Sequence, residues 1–258
     1  ALLDARSIHG GGQLILEDLE RVPRSYNTTI LRALILGRKL AAETPNQKYV
    51  GVLLPSAIAT PVTVFGLLAF GRIPAMLNFS TGAVNMSAAC TAAQVRSIIT
   101  SRKFIEVAEM EEDIKLLGNN ARIIYLEDVG ASIHILDKIR GIISRVFVDA
   151  VLKNNGALNN PDAPATVLFT SGSEGLPKGV VLSHRNLVSN IVQTCTRVNF
   201  VPTDIFFNAL PMFHAFGFLA TLLTMLNGSK SFFYPSPLHY KIVPEMVYDT
   251  EATVLFST

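Results

Sequence analysis

Residues 166–179 read Thr-Val-Leu-Phe-Thr-Ser-Gly-Ser-Glu-Gly-Leu-Pro-Lys-Gly, a short apolar run passing directly into hydroxyls, glycines and one lysine. Gly172, Gly175 and Gly179 permit close backbone approach, so successive N–H groups can turn inward as an anion-binding nest. Thr170, Ser171 and Ser173 add hydroxyl donors, and Lys178 adds a compact charge that can reach along a phosphate chain. The set suits a polyphosphate. It is not a Walker loop, because Leu176 and Pro177 separate Gly175 from Lys178 and a glycine follows the lysine. It is not a nucleophile elbow either, since Ser171 stands two residues before Ser173, where that turn needs glycine. The bland alternative is a polar hairpin loop without a ligand.

The elements that must position this stretch follow from periodicity. Ser25 or Asn27 can cap a helix running to about Ala42, with Ile30, Leu31, Leu34 and Ile35 on one face. Residues 49–54, 73–77, 96–100 and 122–126 read as strands, separated by helices over 56–70 (capped by Ser56), 81–94 and 104–117. Residues 166–169 read as a buried strand, Ser183 caps a further helix, and strands follow at 205–210, 231–234 and 252–256. Strands separated by helices cannot pair as hairpins, so mainly parallel sheets flanked by helices are expected, an α/β fold. The expected division is a leader or linker over 1–24, a first α/β subdomain over 25–153, a linker over 154–164, and a second α/β subdomain over 165–258, incomplete at its C-terminal end. A chain opening on Ala1 rather than Met reads as an excised piece.

With 258 residues, 49% hydrophobic and 16% charged, the chain can bury a large core, and its composition excludes disorder. A net charge of +2 with scattered basic residues gives no nucleic-acid footprint. Cys90 and Cys195 lack CxxC spacing and fit a reducing compartment, and His9, His134 and His239 support no metal cluster. His184, at the start of a capped helix beside Arg185, reads as structural. The most apolar run, 216–226, is too short to span a bilayer. Residues 131–153 place Ile135, Ile139, Ile142, Ile143, Val146, Phe147 and Val151 at helical spacing among Lys138, Arg140, Arg145 and Lys153. Two readings stay open: a helix packed over a sheet, or an interfacial helix touching anionic lipid.

The stretch 170–179 resembles the signature loop of the adenylate-forming superfamily, and Pro211-Met212-Phe213-His214-Ala215-Phe216-Gly217 resembles its next motif. Residues 235–245 are similar to one branch, the bacterial bifunctional acyl-[acyl-carrier-protein] synthetases and 2-acylglycerophosphoethanolamine acyltransferases. The resemblance covers about 25–258 and implies the large N-terminal lobe of an adenylating domain. It implies that ATP enters with Mg2+, and that Thr170, Ser171, Gly172, Ser173, Glu174, Gly175, Lys178 and Gly179 hold the phosphates. Thr170 then helps to place the metal, Lys178 offsets charge on departing pyrophosphate, and His214 places the fatty acid rather than moving a proton. Glu174 stands where the superfamily more commonly has a hydroxyl or glycine, and the branch tolerates it. Phe206, Phe207, Phe213, Phe216, Phe218, Leu222, Leu223 and Met225 could line an acyl tunnel, although such aromatic density is usual in a core.

The implied partners are fatty acid, acyl carrier protein, a lysophospholipid in the complete protein and the membrane surface. The implied location is the cytoplasmic face of the bacterial inner membrane, with this piece soluble. The superfamily's later motifs and catalytic lysine lie beyond Thr258, so the piece alone is expected to be inactive. The rival readings are a conventional long-chain acyl-CoA synthetase and a non-catalytic nucleotide-binding module, against which intact Thr170, Gly172, Gly175 and Lys178 argue.

Overall fold

Apolar runs of four or so residues are too short to stand alone as strands, and the amphipathic stretches between them supply the helices that cover them. The computed structural model describes residues 1–155, 160–171 and 176–256, Ser171 by its backbone only. In chain order it runs α1 (Leu2–His9), β1 (Leu14–Glu17), β2 (Arg24–Ser25), α2 (Tyr26–Glu43), β3 (Tyr49–Val52), α3 (Ala59–Ala69), β4 (Ile73–Met76) and α4 (Gly82–Ala92). It continues with β5 (Ser97–Thr100), α5 (Arg102–Val107), α6 (Glu111–Gly118), β6 (Arg122–Tyr125), α7 (Leu126–Ala131), α8 (Ile135–Val146), α9 (Val148–Asn154), β7 (Pro164–Ser171) and β8 (Pro177–Ser183). The remainder is α10 (His184–Cys195), β9 (Ile205–Asn208), α11 (Ala215–Asn227), β10 (Lys230–Phe233), α12 (Ile242–Asp249) and β11 (Val254–Leu255).

Two sheets result, one ordered β6-β5-β3-β4-β7-β8 and one ordered β11-β9-β10-β1-β2. Every pairing is parallel except β7 with β8 and β1 with β2, so the expected α/β architecture holds with an antiparallel strand at one edge of each sheet. Both antiparallel partners escaped the sequence reading, which took helix-separated strands as the rule. Extended Val180, Val181 and Leu182 follow β7 after a short connection, and an antiparallel partner needs no crossover helix.

The chain forms two compact units, 1–30 with 55–61 and 185–258, and 31–54 with 62–184. These divide the chain elsewhere than at the expected edges 24/25, 153/154 and 164/165. The reason is ladder pairing between distant segments: β1 from the expected leader pairs with β10, and β7 pairs with β4. In the second unit, Leu53, Leu77, Ile98 and Val167 from the sheet pack with Met86 and Cys90 of α4 and Ile114 and Leu117 of α6. In the first, Phe207, Ala209, Phe232 and Tyr234 meet Val243, Met246 and Val247 of α12. Tyr26 anchors the start of α2 there, its buried hydroxyl donating to the Met225 carbonyl at 2.6 Å; desolvation pushes that phenol up to about 12.

Local expectations met mixed outcomes. Ser25 does cap α2, its Oγ accepting the Thr28 N–H at 3.3 Å. Ser56 does not cap α3, which begins at Ala59; its hydroxyl donates instead to the Leu210 carbonyl at 3.1 Å. The helix expected over 104–117 is two, because Ser101 caps the first at Phe104 and Glu109 takes the left-handed conformation (φ 53°) before the second.

The segment 131–153 is also broken, at Phe147. Here α8 packs on α2 rather than on a sheet. Gly141 abuts Ile35 so closely that a Cβ there would lie 2.4 Å from Ile35 Cγ1, and Arg38 donates to Ser144 Oγ at 2.9 Å. Asp137 takes the Lys39 ammonium at 2.8 Å and the His134 N–H at 2.9 Å, and these donors hold its carboxyl below the usual carboxylate range.

Candidate functional site

Of the phosphate-loop candidates, Thr170, Ser171, Lys178 and Gly179 sit on the two strands of a β-hairpin. Strand β7 is parallel to β4, with Ala75 opposite Val167 and Met76 opposite Leu168, so its C-terminal end is a carboxyl end of the parallel part of the sheet. Ligands of open α/β sheets bind outside such ends. Across the hairpin Phe169 faces Gly179, Thr170 faces Lys178 and Ser171 faces Pro177. Directly opposed residues share a face, so Thr170 and Lys178 stand side by side, both exposed. The other face carries Val167 and Phe169 into the core. Gly179 belongs to that inner face; a Cβ there would lie 3.1 Å from Val167 Cγ1 and 3.4 Å from Phe169 Cε1.

This narrows the loop expected over 170–179. Thr170, Ser171, Lys178 and Gly179 are ladder residues, and Lys178 is presented by a strand rather than by a loop. Gly172, Ser173, Glu174 and Gly175 lie outside the described residues.

His214 belongs to the other unit, where a tight turn joins β9 to α11. It is the residue just before α11, in extended conformation, its N–H donating to the Pro211 carbonyl at 3.0 Å and its carbonyl accepting from Phe218 at 2.9 Å. The imidazole makes no cap bond and is exposed, its ring 4.5 Å from that of buried Phe213. Gly217 makes the turn possible: a Cβ there would lie 2.2 Å from the Pro211 carbonyl oxygen and 2.8 Å from that of Leu210. Phe206, Phe207, Phe213 and Phe218 are core residues, whereas Phe216 is partly exposed and packs edge-on against Phe256 at 5.2 Å.

The sequence reading missed what holds this turn. Ser56 ties the Leu210 carbonyl, and Asp18 accepts the Ile58 N–H at 3.1 Å, steadying the segment that carries Ser56. Asn208 donates to Thr221 Oγ1 at 3.0 Å, and Thr221 in turn donates to the Gly217 carbonyl at 3.0 Å. Asn208 is fully buried, and its Oδ1 has no partner among the described residues. The signal was present as a lone amide in the otherwise apolar run Ile205-Phe206-Phe207-Asn208-Ala209-Leu210.

With both motifs at carboxyl ends of parallel strands, comparison with known proteins is decisive. The family model described as AMP-binding enzyme matches residues 19–258. The chain belongs to the AMP-binding enzyme family. Among its relatives, the medium-chain fatty-acid–CoA ligase of Escherichia coli K12 is 38% identical over 102 residues, covering 37% of this chain and 18% of that protein. The peroxisomal long chain acyl-CoA synthetase 6 of Arabidopsis thaliana is 37% identical over 97 residues, covering 35% of this chain and 14% of that protein. In fold, the O-succinylbenzoate-CoA synthetase of Bacillus subtilis, solved with ATP and magnesium ion, superposes with a TM-score of 0.74 at 17% identity, over 98% of this chain and 62% of that one. The chain therefore spans less than two thirds of the proteins it matches.

Two other histidines of this family member have structural surroundings. His184 closes the hairpin's base, its N–H donating to the Ala163 carbonyl at 3.2 Å, and burial holds its imidazole below its ordinary range. His239 Nδ1 lies 2.9 Å from the Tyr234 hydroxyl. Among the described residues no three His, Cys, Asp or Glu side chains gather as a metal site, and no helix is long and apolar enough to cross a membrane.

Proposed function

We propose that this chain is the nucleotide-binding part of an AMP-forming ligase that activates a fatty acid. Carboxylate oxygen attacks the α-phosphorus of ATP and pyrophosphate departs; a thiol then attacks the acyl carbon of the acyl-adenylate, forming a thioester as the acyl–phosphate bond breaks and AMP leaves. Two anions must meet in the first step, so neutralising charge is the main task. The observation that carries this reading is the exposed Thr170–Lys178 pair on one face of the hairpin, at the carboxyl end of β7. A hydroxyl beside an ammonium matches the oxygen-rich, anionic chain of a triphosphate. In this assignment Thr170, Ser171, Gly172, Ser173, Glu174, Gly175, Lys178 and Gly179 embrace the phosphates, and Lys178 neutralises the leaving pyrophosphate. Mg2+ entering with ATP would be held with the help of Thr170 and would share that neutralisation. His214, exposed beside Phe213, orients the carboxylate and its chain.

The proposed acceptor is the phosphopantetheine thiol of acyl carrier protein, a reading supported by the likeness of 235–245 to the bifunctional branch. In the complete protein the acyl group would then re-acylate a lysophospholipid at the cytoplasmic face of the bacterial inner membrane. The names of the relatives favour coenzyme A as a second candidate acceptor. Supplying the full-length protein with ATP, radiolabelled palmitate and either thiol separates the two. Acyl carrier protein labelled in preference to coenzyme A is the expected result; coenzyme A labelled alone would make the protein a conventional acyl-CoA synthetase, and no acyl-dependent pyrophosphate release with either would remove the ligase assignment.

A further inference from the structure

The amphipathic segment 131–153 has a feature that its packing makes visible. Helix α8 docks through its small and polar side, Asp137, Gly141 and Ser144, against Lys39, Ile35 and Arg38 of α2. At 100° per residue the opposite arc carries Ile135, Leu136, Ile139, Ile142, Ile143 and Val146, and Phe147 follows it. Their exposures run from 47% at Ile139 to 69% at Ile135, so the helix turns its large apolar residues outward. Seven neighbouring side chains of this size are not the scattered exposed hydrophobics that need no explanation.

Charge says what covers them. Lys138 and Arg140 flank the apolar arc on opposite sides, both are exposed, and neither makes an ion pair among the described residues. The one carboxylate of α8, Asp137, is turned inward onto Lys39. A second copy of this chain meeting the face about a two-fold axis would bring cations toward cations with no acidic partner on the helix. An anionic bilayer surface offers hydrocarbon to the arc and phosphate to both flanks, the arrangement of a helix lying in the membrane plane.

We propose that α8 is a peripheral membrane-docking helix that seats its 135–147 face in the headgroup layer of an anionic bilayer. The docking stands or falls independently of the ATP chemistry, because it uses no residue of the hairpin or of the 211–217 turn.

The test is flotation of the purified protein with phosphatidylglycerol/phosphatidylethanolamine vesicles and with phosphatidylcholine vesicles, at low salt and at about 0.5 M NaCl, where the Debye length shrinks to a few Å. The protein should float with the anionic vesicles and bind phosphatidylcholine at least about tenfold less. Ile139→Glu with Ile143→Glu should abolish flotation, with an unchanged thermal transition because both side chains are exposed. Lys138→Glu with Arg140→Glu should remove the preference for anionic lipid and its salt sensitivity, and this pair decides the matter if the first variant unfolds. Failure of the unmodified protein to float, or flotation of the folded variants equal to it, overturns the proposal. So does a dimer dispersed by the isoleucine pair in a protein that ignores vesicles, which would make the face a contact between copies.

Discussion

The hairpin ending in Thr170 and Lys178 and the turn from Pro211 to Gly217 solve opposite problems. The hairpin is held by ladder pairing and by buried side chains on both faces, Val167 on one and Leu168 on the other, and only near its end do exposed Thr170 and Lys178 present a hydroxyl and a charge. The turn is over-determined: Gly217 has backbone oxygens where a side chain would go, and Ser56, Asn208 and Thr221 fix its carbonyls and flanks. In the roles proposed above, the hairpin neutralises charge and needs donors more than rigid walls, whereas the turn places an acyl chain and needs walls. The two motifs should therefore respond to mutation in different currencies, the turn in stability and the hairpin in activity.

The strongest test of that contrast is Gly217→Ala. The added methyl cannot coexist with a carbonyl oxygen 2.2 Å away, so the turn must open, at a cost of about 3 kcal/mol in urea unfolding. Gly179→Ala should cost only about 1 kcal/mol, since its methyl meets the Val167 side chain at 3.1 Å, a tight contact, rather than overlapping backbone. Equal costs would erase the comparison. Ser56→Ala removes a hydroxyl donor from the buried Leu210 carbonyl and should also destabilise by about 1 kcal/mol, with acyl binding weakened more than ATP binding.

The smallest expected effect concerns pH. Burial lowers the His184 imidazole, so the fold favours its neutral form; that contribution is complete above the ordinary histidine value of about 6.5 and is lost as pH falls from there through the lower folded-state value. Thermal transitions measured from pH 7.5 to 5 should fall more steeply in the parent than in His184→Gln. Parallel curves would show that His184 does not titrate differently on folding.

Much of this was legible in the sequence because the information was local. The period of apolar residues marked β3 to β6 and β9 to β11 within a residue or two, and Ser25 announced its helix through the cap bond it accepts from Thr28. What escaped was non-local. Nothing in Leu14 to Glu17 reveals a strand until β10 is there to pair with it, and β8 reads as a loop because glycine and proline open it. The same holds for the candidate site: Thr170, Lys178 and His214 announce themselves by type, whereas Ser56 and Asn208 acquire their roles only where distant segments meet. The outward face of α8 was half legible, since periodicity gave the stripe and only packing gave its direction.

The central claim is that Lys178 serves the nucleotide's phosphates rather than the fold, and one substitution addresses it. In the full-length protein, Lys178→Ala should leave unfolding free energy within about 0.5 kcal/mol of the parent, because the side chain is exposed. It should lower acyl-dependent ATP–pyrophosphate exchange by about a hundredfold or more, the scale of a lost transition-state donor. Exchange at the parental rate in a correctly folded Lys178→Ala protein would contradict the account.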